Sequence, residues 1–277
     1  MKREDKLSRL KEIKADIRSG TYEAAWTALG LIAAPDDDLL LQTRFAALAR
    51  AIPKETLALK PLRVAILATS TVDQLKESLR FWLAREGLVA EILMSEFGTL
   101  QQTVLNPDSE VYDFRPDVVM LFTNYRDIQA EVPPGSSWEE VRRAVDSAVE
   151  ESAVLWRFLR ERLNCHIIQN NADLPHSRVF GNFEGTAHWG RLNVLREFNL
   201  SMARAAFSNV TILDMDAISS AYGKVRWHDN RYWHHSKHAF ALDATGLVAF
   251  EAAKVIGAVK GMAKKCIVLD LDNTLWG

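Results

Sequence analysis

The sequence predicts an α/β protein in which helices cover both faces of a doubly wound parallel sheet. Three observations support this prediction: short apolar runs recur along residues 63–272, the runs show no polar alternation, and longer amphipathic stretches separate them. Strands that are apolar on both sides are typical of parallel sheets, because helices bury both faces of such sheets. A small helical segment precedes this pattern, and one last apolar run follows it.

The first 55 residues have the spacing of helices rather than strands. Apolar residues recur at helical spacing over residues 4–18, and Gly20 follows as a stop signal. Further helical stretches cover residues 21–29 and 36–51, the latter with an acidic first turn that suits the helix dipole. We interpret residues 1–55 as a helical N-terminal subdomain.

The main α/β domain is assigned to residues 62–260. Its apolar runs, each predicted to form a strand, are RVAILAT (63–69), LVAEILM (88–94), DVVMLFT (117–123), CHIIQN (165–170) and VTILDM (210–215). The helices predicted between and after these strands cover residues 72–86, 97–106, 137–163, 190–207 and 240–260. In an open α/β sheet, ligands bind beyond the carboxyl ends of the strands, so candidate site residues directly follow the runs.

Composition argues against several classes of function. With 34 Lys and Arg against 36 Asp and Glu, the formal net charge is −2, which provides no basic field for nucleic acid or anionic lipid. The N-terminal stretch KREDKLSRLKEIK has no apolar core of a signal peptide, and no uncharged apolar run reaches the roughly 18 residues of a membrane span. We therefore expect a cytoplasmic protein without nucleic-acid or membrane partners. Cys165 and Cys266 each open an apolar run and are expected to be buried free thiols.

Residues 264–277, KKCIVLDLDNTLWG, carry the most specific motif of the sequence. Side chains alternate along a strand, so Asp270 and Asp272 are expected to point the same way. Two carboxylates so placed can share a Mg²⁺ ion, and in phosphoryl transfer one can attack phosphorus while the other handles the leaving-group proton. We therefore predict that Asp270 and Asp272 are catalytic residues and metal ligands.

The DLDNTLW string resembles the first motif of the haloacid dehalogenase (HAD) superfamily, and IVLDLDNTLWG resembles its FkbH-like branch, subfamily IIIC. Three upstream stretches are also similar to FkbH-like proteins: NPDSEVYDFRPDVVMLF (106–122), RVFGN (178–182) and RWHDNRYW (226–233). The resemblance implies an SGNH-hydrolase-like, flavodoxin-like three-layer fold for residues 62–260. It also implies that residues 264–277 are the first strand of a truncated HAD domain. The other residues of a HAD site would follow Gly277, so we expect this chain alone not to complete the catalysis.

The resemblance also implies a function. In FkbH-like proteins, the HAD domain is associated with making a glyceryl thioester on an acyl carrier protein from a phosphorylated glycerate, within polyketide or related natural-product assembly. The expected partners are therefore an acyl carrier protein and a phosphorylated glycerate-like substrate. A candidate docking surface for the carrier is a basic patch on the helix at 190–207, formed by Arg191, Arg196 and Arg204.

The α/β domain has its own candidate site, for which alternatives remain open. Ser70 follows the first strand, at the nucleophile position of an SGNH enzyme, and Gly98 and Asn124 follow the next two strands, where such enzymes place oxyanion-hole donors. The pocket either only binds its ligand, or Ser70 serves an autonomous serine esterase or acyltransferase. A third reading makes Ser70, or its neighbour Thr71, a plain cap of the helix at 72–86.

The base that Ser70 would need is the weak point of the esterase reading. An SGNH enzyme expects Asp-x-x-His near its end, but Tyr232 stands three residues after Asp229, and only His234 and His235 follow closely.

The long loop from Asn171 to Trp189 is a candidate lid or binding loop. The full set of predicted binding residues is Ser70, Thr71, Gly98, Asn124, Asn171, Trp233, His235 and Lys237. Arg226 and Arg231 are further candidates for contact with an anionic ligand.

Overall fold

The structure, a computed structural model, describes residues 1–263. Its strands are β1 (Lys60–Ala68), β2 (Leu88–Met94), β3 (Val118–Phe122), β4 (His166–Asn170) and β5 (Val210–Leu213). Its α-helices are α1 (Arg3–Arg18), α2 (Tyr22–Ile32), α3 (Leu39–Arg50), α4 (Leu75–Arg85), α5 (Leu100–Leu105), α6 (Glu110–Phe114), α7 (Trp138–Arg162), α8 (Arg191–Ala205), α9 (Met215–Tyr222), α10 (Lys224–Trp227), α11 (Asn230–Ser236) and α12 (Thr245–Val259). Short 3₁₀ turns cover Lys54–Thr56, Gly181–Gly185 and Leu242–Ala244.

The five strands form one parallel sheet in the order β2-β1-β3-β4-β5. The chain moves outward from β1 to β2 and then returns to place β3 on the other side of β1. The strand order therefore reverses between β1 and β3, which is the switch point where open α/β sheets bind ligands. The prediction of a doubly wound α/β fold is confirmed.

Helices cover both faces of the sheet and form two apolar cores. Alternating residues of β1 point to opposite faces: Val64 and Ile66 join one core, whereas Ala65 and Leu67 join the other. The first core also contains residues of α1 to α4 and α12, so the N-terminal helices pack on the helical layer of this face. The second core lies beneath α5, α7 and α8.

The N-terminal helices contact the rest of the fold through close polar and aromatic contacts. The buried side chain of Gln42 on α3 donates to Ala34 O at 2.8 Å and accepts from the indole of Trp82 on α4 at 3.1 Å. The guanidinium of Arg85 lies 4.4 Å from the ring centre of Trp26 on α2. These contacts fix α2 and α3 against α4.

Two helix predictions need correction. The acidic residues of 36–51 precede α3 rather than forming its first turn, because Asp38 is the N-cap and accepts from Leu41 N at 2.9 Å. The stretch predicted as one helix over 97–106 continues after Asn106 with a second short helix, α6. Within residues 1–263, no helix is both long and apolar enough to cross a membrane. Asp270, Asp272 and Cys266 lie outside the described residues.

Candidate functional site

The carboxyl ends of β1 and β3 are joined by the side chain of Asp127. Its Oδ2 atom accepts from Thr69 Oγ1 at 2.5 Å, from Asn124 N at 2.8 Å and from Asn124 Nδ2 at 2.7 Å. Thr69 N also donates to Phe122 O at 3.0 Å. These bonds give the loops at the switch point a fixed shape, and Ser70 lies in one of these loops, directly after Thr69.

Ser70 lines a small, partly open pocket that we call the Ser70 cavity. Its volume is about 10 Å³, and its named walls are Ser70, Thr123, Asp173, Trp227 and Phe240, with four further apolar side chains. Ser70 is only 3% exposed, and no side chain or backbone group of residues 1–263 forms a hydrogen bond with its Oγ atom. As far as residues 1–263 are concerned, the hydroxyl of Ser70 is therefore available to a ligand in the cavity.

Asp173 brings a carboxyl group to this cavity from the loop after β4. It is 3% exposed, and its Oδ2 atom accepts from the indole nitrogen of Trp227 at 2.7 Å. Burial raises the pKa of Asp173 to about 6, because the charged form loses its hydration. At neutral pH the carboxyl is still mainly ionised, so the cavity holds a buried negative charge.

His228 lies beside Asp173 and shares its burial. Its Nε2 atom must carry a hydrogen, because it lies 3.2 Å from the carbonyl oxygen of Leu174, which can only accept. Its buried Nδ1 atom has no hydrogen-bond partner among the described residues and lies 3.7 Å from Asp173 Oδ2. Burial lowers the pKa of His228 to about 4, so the ring is neutral at pH 7. The rings of Tyr125 and His176 pack against it, at 5.4 and 6.2 Å between centres.

Cationic side chains lie around Trp233 on α11. The guanidinium of Arg126 lies 4.3 Å from the centre of the Trp233 ring, and the ammonium of Lys237 lies 5.2 Å from it. Lys237 has a φ of 57°, the left-handed conformation that ends α11, and its carbonyl accepts from Thr71 N at 3.0 Å. This backbone contact places the end of α11 directly beside the loop that carries Ser70. We call the Arg126 and Lys237 side chains, which both lie against the Trp233 ring, the α11 cations.

The structure brings some predicted binding residues together and separates others. Thr71 lies in the Ser70 loop, where its Oγ1 donates to Ser236 O at 2.7 Å, beside Lys237. Asn171 instead supports α9: its Nδ2 donates to Asp214 Oδ1 at 2.8 Å and its Oδ1 accepts from Asp216 N at 3.1 Å. Gly98 is exposed, with a φ of 73° and open space around it.

Asn124 lies in a hydrogen-bonded loop, and Trp233 lies on a helix. Asn124 is 1% exposed, and both ends of its amide are engaged, with Asp127 and with the backbone nitrogen of Arg126 at 3.0 Å. Its geometry is that of a loop-shaping residue. Trp233 lies on α11, and Asp229 caps that helix by accepting from Arg231 N at 3.0 Å.

The histidines proposed as a base for Ser70 do not contact it. His234 and His235 are exposed on α11, and no hydrogen bond in residues 1–263 joins either ring to Ser70. The histidine that contacts the Ser70 loop is His238, whose Nδ1 atom donates to Thr71 O at 3.1 Å. Among the described residues, Ser70 therefore has no hydrogen-bonded base.

The proposed carrier-docking patch also needs correction. The guanidinium of Arg191 is only 21% exposed and donates to the carbonyl oxygens of Tyr125 and Ile128 at 2.6 and 3.1 Å. Arg191 therefore anchors the loop after β3. Arg196 and Arg204 are exposed on α8.

Sequence reasoning missed Asp173. Its position three residues after the fourth apolar run, inside the loop proposed as a lid, was the available signal. Nothing local indicated that this loop folds back to bury the carboxyl beside Ser70 and Trp227. Among residues 1–263, no three His, Cys, Asp or Glu side chains are grouped closely enough to hold a metal ion.

Comparison with known proteins gives a family match. The model of the family described as "FkbH, N-terminal domain" matches residues 63–257. A solved structure, the N-terminal part of a Bacteroides fragilis protein containing a phosphatase domain complexed with Mg, aligns with a TM-score of 0.64 and 22% identity. The alignment covers 80% of this chain but 58% of that chain.

A second solved structure, described as a lipolytic protein of the G-D-S-L family from Desulfitobacterium hafniense, aligns with a TM-score of 0.35 and 16% identity. This second alignment covers 70% of this chain and 99% of the Desulfitobacterium hafniense chain. No curated protein matches the sequence.

Proposed function

Because the family model spans residues 63–257, this chain belongs to the family of FkbH N-terminal domains, and on that premise we propose that it binds substrate or carrier for an FkbH-like HAD enzyme. That enzyme, a phosphatase and glyceryltransferase, would load a glyceryl or related acyl unit onto an acyl carrier protein from a phosphorylated precursor. The chain itself would hold the precursor or the carrier near the HAD site.

The DxDxT motif supports the HAD part of this proposal. Asp270 and Asp272 would bind Mg²⁺, which would neutralise the charge that develops on a transferring phosphoryl group. The Bacteroides fragilis structure contains a phosphatase domain and Mg, and this chain spans 58% of it. We extend that arrangement to this chain as a proposal, with Asp270 and Asp272 in the metal-binding role.

The observation that favours binding over hydrolysis is the isolation of Ser70. Its hydroxyl has no hydrogen-bonded base among residues 1–263, and without one a serine hydroxyl is a weak nucleophile. The α11 cations, of which Lys237 contacts the Ser70 loop through its backbone, instead offer charge-assisted hydrogen bonds to an anion. A phosphorylated three-carbon acid carries the anionic groups that such cations bind.

Calorimetric titration with 3-phosphoglycerate tests this binding function. We expect saturable binding that weakens about tenfold in Arg126→Gln and in Lys237→Gln, since a hydrogen bond to a charged group contributes about 1.5–3 kcal/mol. Lys11→Gln, at an exposed position on α1, is the matched control and should bind like the unsubstituted chain. Absence of binding, or equal weakening by all three substitutions, would refute the proposal.

An autonomous serine esterase or acyltransferase is the second candidate. One observation favours it: the free hydroxyl of Ser70 and the carboxyl of Asp173 line the same cavity. Hydrolysis of p-nitrophenyl acetate separates the candidates, because only an esterase would show activity that Ser70→Ala abolishes. We expect no such activity.

A further inference from the structure

The Ser70 cavity is small enough to define what it can hold. A volume of about 10 Å³ matches the space that one water molecule needs. A single hydroxyl group has that size, whereas a carboxylate or phosphate group does not. The size of the cavity therefore favours one small polar group as its occupant.

The charge of the walls restricts the occupant further. The only ionisable side chain lining the Ser70 cavity, of those the structure describes, is Asp173, and its neighbours there are hydroxyl-bearing or apolar. His228, the adjacent titratable group, is neutral at pH 7. Lys224 partly offsets the charge of Asp173 from outside the cavity. Inside the cavity an anion would meet the buried carboxylate, which repels it, whereas a hydroxyl hydrogen would find a strong acceptor.

Unused hydrogen-bonding capacity at the cavity supports the same occupant. The Oγ atom of Ser70 has no partner in residues 1–263, so it can both donate and accept. A carboxylate accepts about four hydrogen bonds. The indole of Trp227 donates one to Asp173, and the backbone N–H groups of Asp173 and Tyr125 also favour its charged form, so capacity remains for one further donor. Buried groups of this kind are normally satisfied by a water molecule or a ligand.

We infer that the Ser70 cavity binds one alcoholic hydroxyl group of the ligand, which donates to Asp173 and pairs with Ser70, while the ligand's anionic groups stay outside at the α11 cations. This inference rests on the proposed function and adds to it the part of the substrate that is recognised. The hydroxyl would be one carried by the glyceryl skeleton of the precursor. Its loss should therefore cost affinity even when every anionic group is kept.

Two probes that differ only in this hydroxyl test the inference: 3-phosphoglycerate and 3-phosphooxypropanoate, which lacks the 2-hydroxyl. In the unsubstituted chain we expect 3-phosphoglycerate to bind at least about tenfold more tightly, because a hydrogen bond to a charged group is lost in the second complex. The indole N–H signal of Trp227, assigned with Trp227→Phe, should shift in ¹⁵N spectra only with the hydroxyl-bearing probe, since that indole bonds to Asp173.

Variants then locate the hydroxyl contact. Asp173→Asn and Ser70→Ala should each reduce the discrimination between the probes to about threefold or less, whereas Asp113→Asn and Ser177→Ala, at exposed positions, should leave it unchanged. Equal affinity for both probes with an unmoved Trp227 signal would overturn the inference and leave the proposed function standing. Failure of both probes to bind would overturn both. The comparison of the two probes in the unsubstituted chain tests the inference even if a variant does not fold.

Discussion

The buried pair formed by Asp173 and His228 predicts an unusual pH dependence of stability. Burial raises the pKa of Asp173 from 3.8 to about 6 and lowers that of His228 from 6.5 to about 4. One pKa unit corresponds to about 1.4 kcal/mol, so each group changes the free energy of unfolding by about 3 kcal/mol across its window. The two changes have opposite signs.

The signs follow from the protons that each state holds. Between pH 4 and 6, the folded protein holds more protons on Asp173 than the unfolded chain does, so the contribution of Asp173 to stability is lost as the pH rises. Between pH 4 and 6.5, the folded protein holds fewer protons on His228, so its contribution grows as the pH rises. In the unsubstituted chain these two slopes nearly cancel.

Substituting either residue should leave only the pH dependence of the unfolding free energy that the other residue causes. Relative to the unsubstituted chain, Asp173→Asn should gain about 3 kcal/mol of unfolding free energy between pH 4 and pH 7, whereas His228→Gln should lose about 3 kcal/mol. Urea unfolding followed by tryptophan fluorescence at several pH values in this range measures both slopes, with the exposed Asp113→Asn as control. Parallel pH profiles for all four proteins would refute the reasoning, because they would mean that neither group is buried as described.

Three further outcomes are expected from local contacts. Gly246→Ala should lower the free energy of unfolding by about 1–3 kcal/mol, because its new methyl would lie 2.7 Å from Pro35 O. The control Gly185→Ala, whose methyl meets open space, should change the free energy of unfolding little. Urea unfolding measures both variants. Ser137→Ala should cost about 1 kcal/mol in the same melts, since Ser137 and Glu140 form the capping box of α7; an unchanged midpoint would contradict that role. In a Cys266→Ser variant, Cys165 should react with a thiol reagent only as fast as the protein unfolds. The reason is that Cys165 is buried and that burial raises its pKa to about 11. Rapid labelling of the folded chain would contradict this expectation.

The strands were predictable because their signal is local. Each of the five apolar runs between residues 63 and 215 overlaps a strand of the sheet, although β1 begins before its run, at Lys60. A strand buried on both faces needs only a short continuous run of apolar residues. Helix ends were less predictable. Whether Asp38 opens a helix or caps it depends on one hydrogen bond to Leu41 N, which the residue type permits but does not require.

The candidate site was predictable only in part. Ser70 follows β1, so the general rule for α/β sheets was sufficient to place it at the ligand-binding edge. Asp173 lies beside Ser70 because the loop after β4 folds inward over that edge, and His228, from the segment after α10, lies beside Asp173. The same rule suggested Asn171 and Asn124, which the structure uses instead to shape loops.

The sequence by itself determined the class of fold, the alternation of strands and helices, and the family resemblance, because these depend on runs and motifs of a few neighbouring residues. Only the tertiary structure decided which polar side chains meet. The backbone contact of Thr71 with Lys237 and the indole of Trp227 on Asp173 join residues far apart in the chain. Pairing of that kind, and the burial that raises the pKa of Asp173, depend on how the loops pack over the sheet, and neighbouring residues carry no record of that packing.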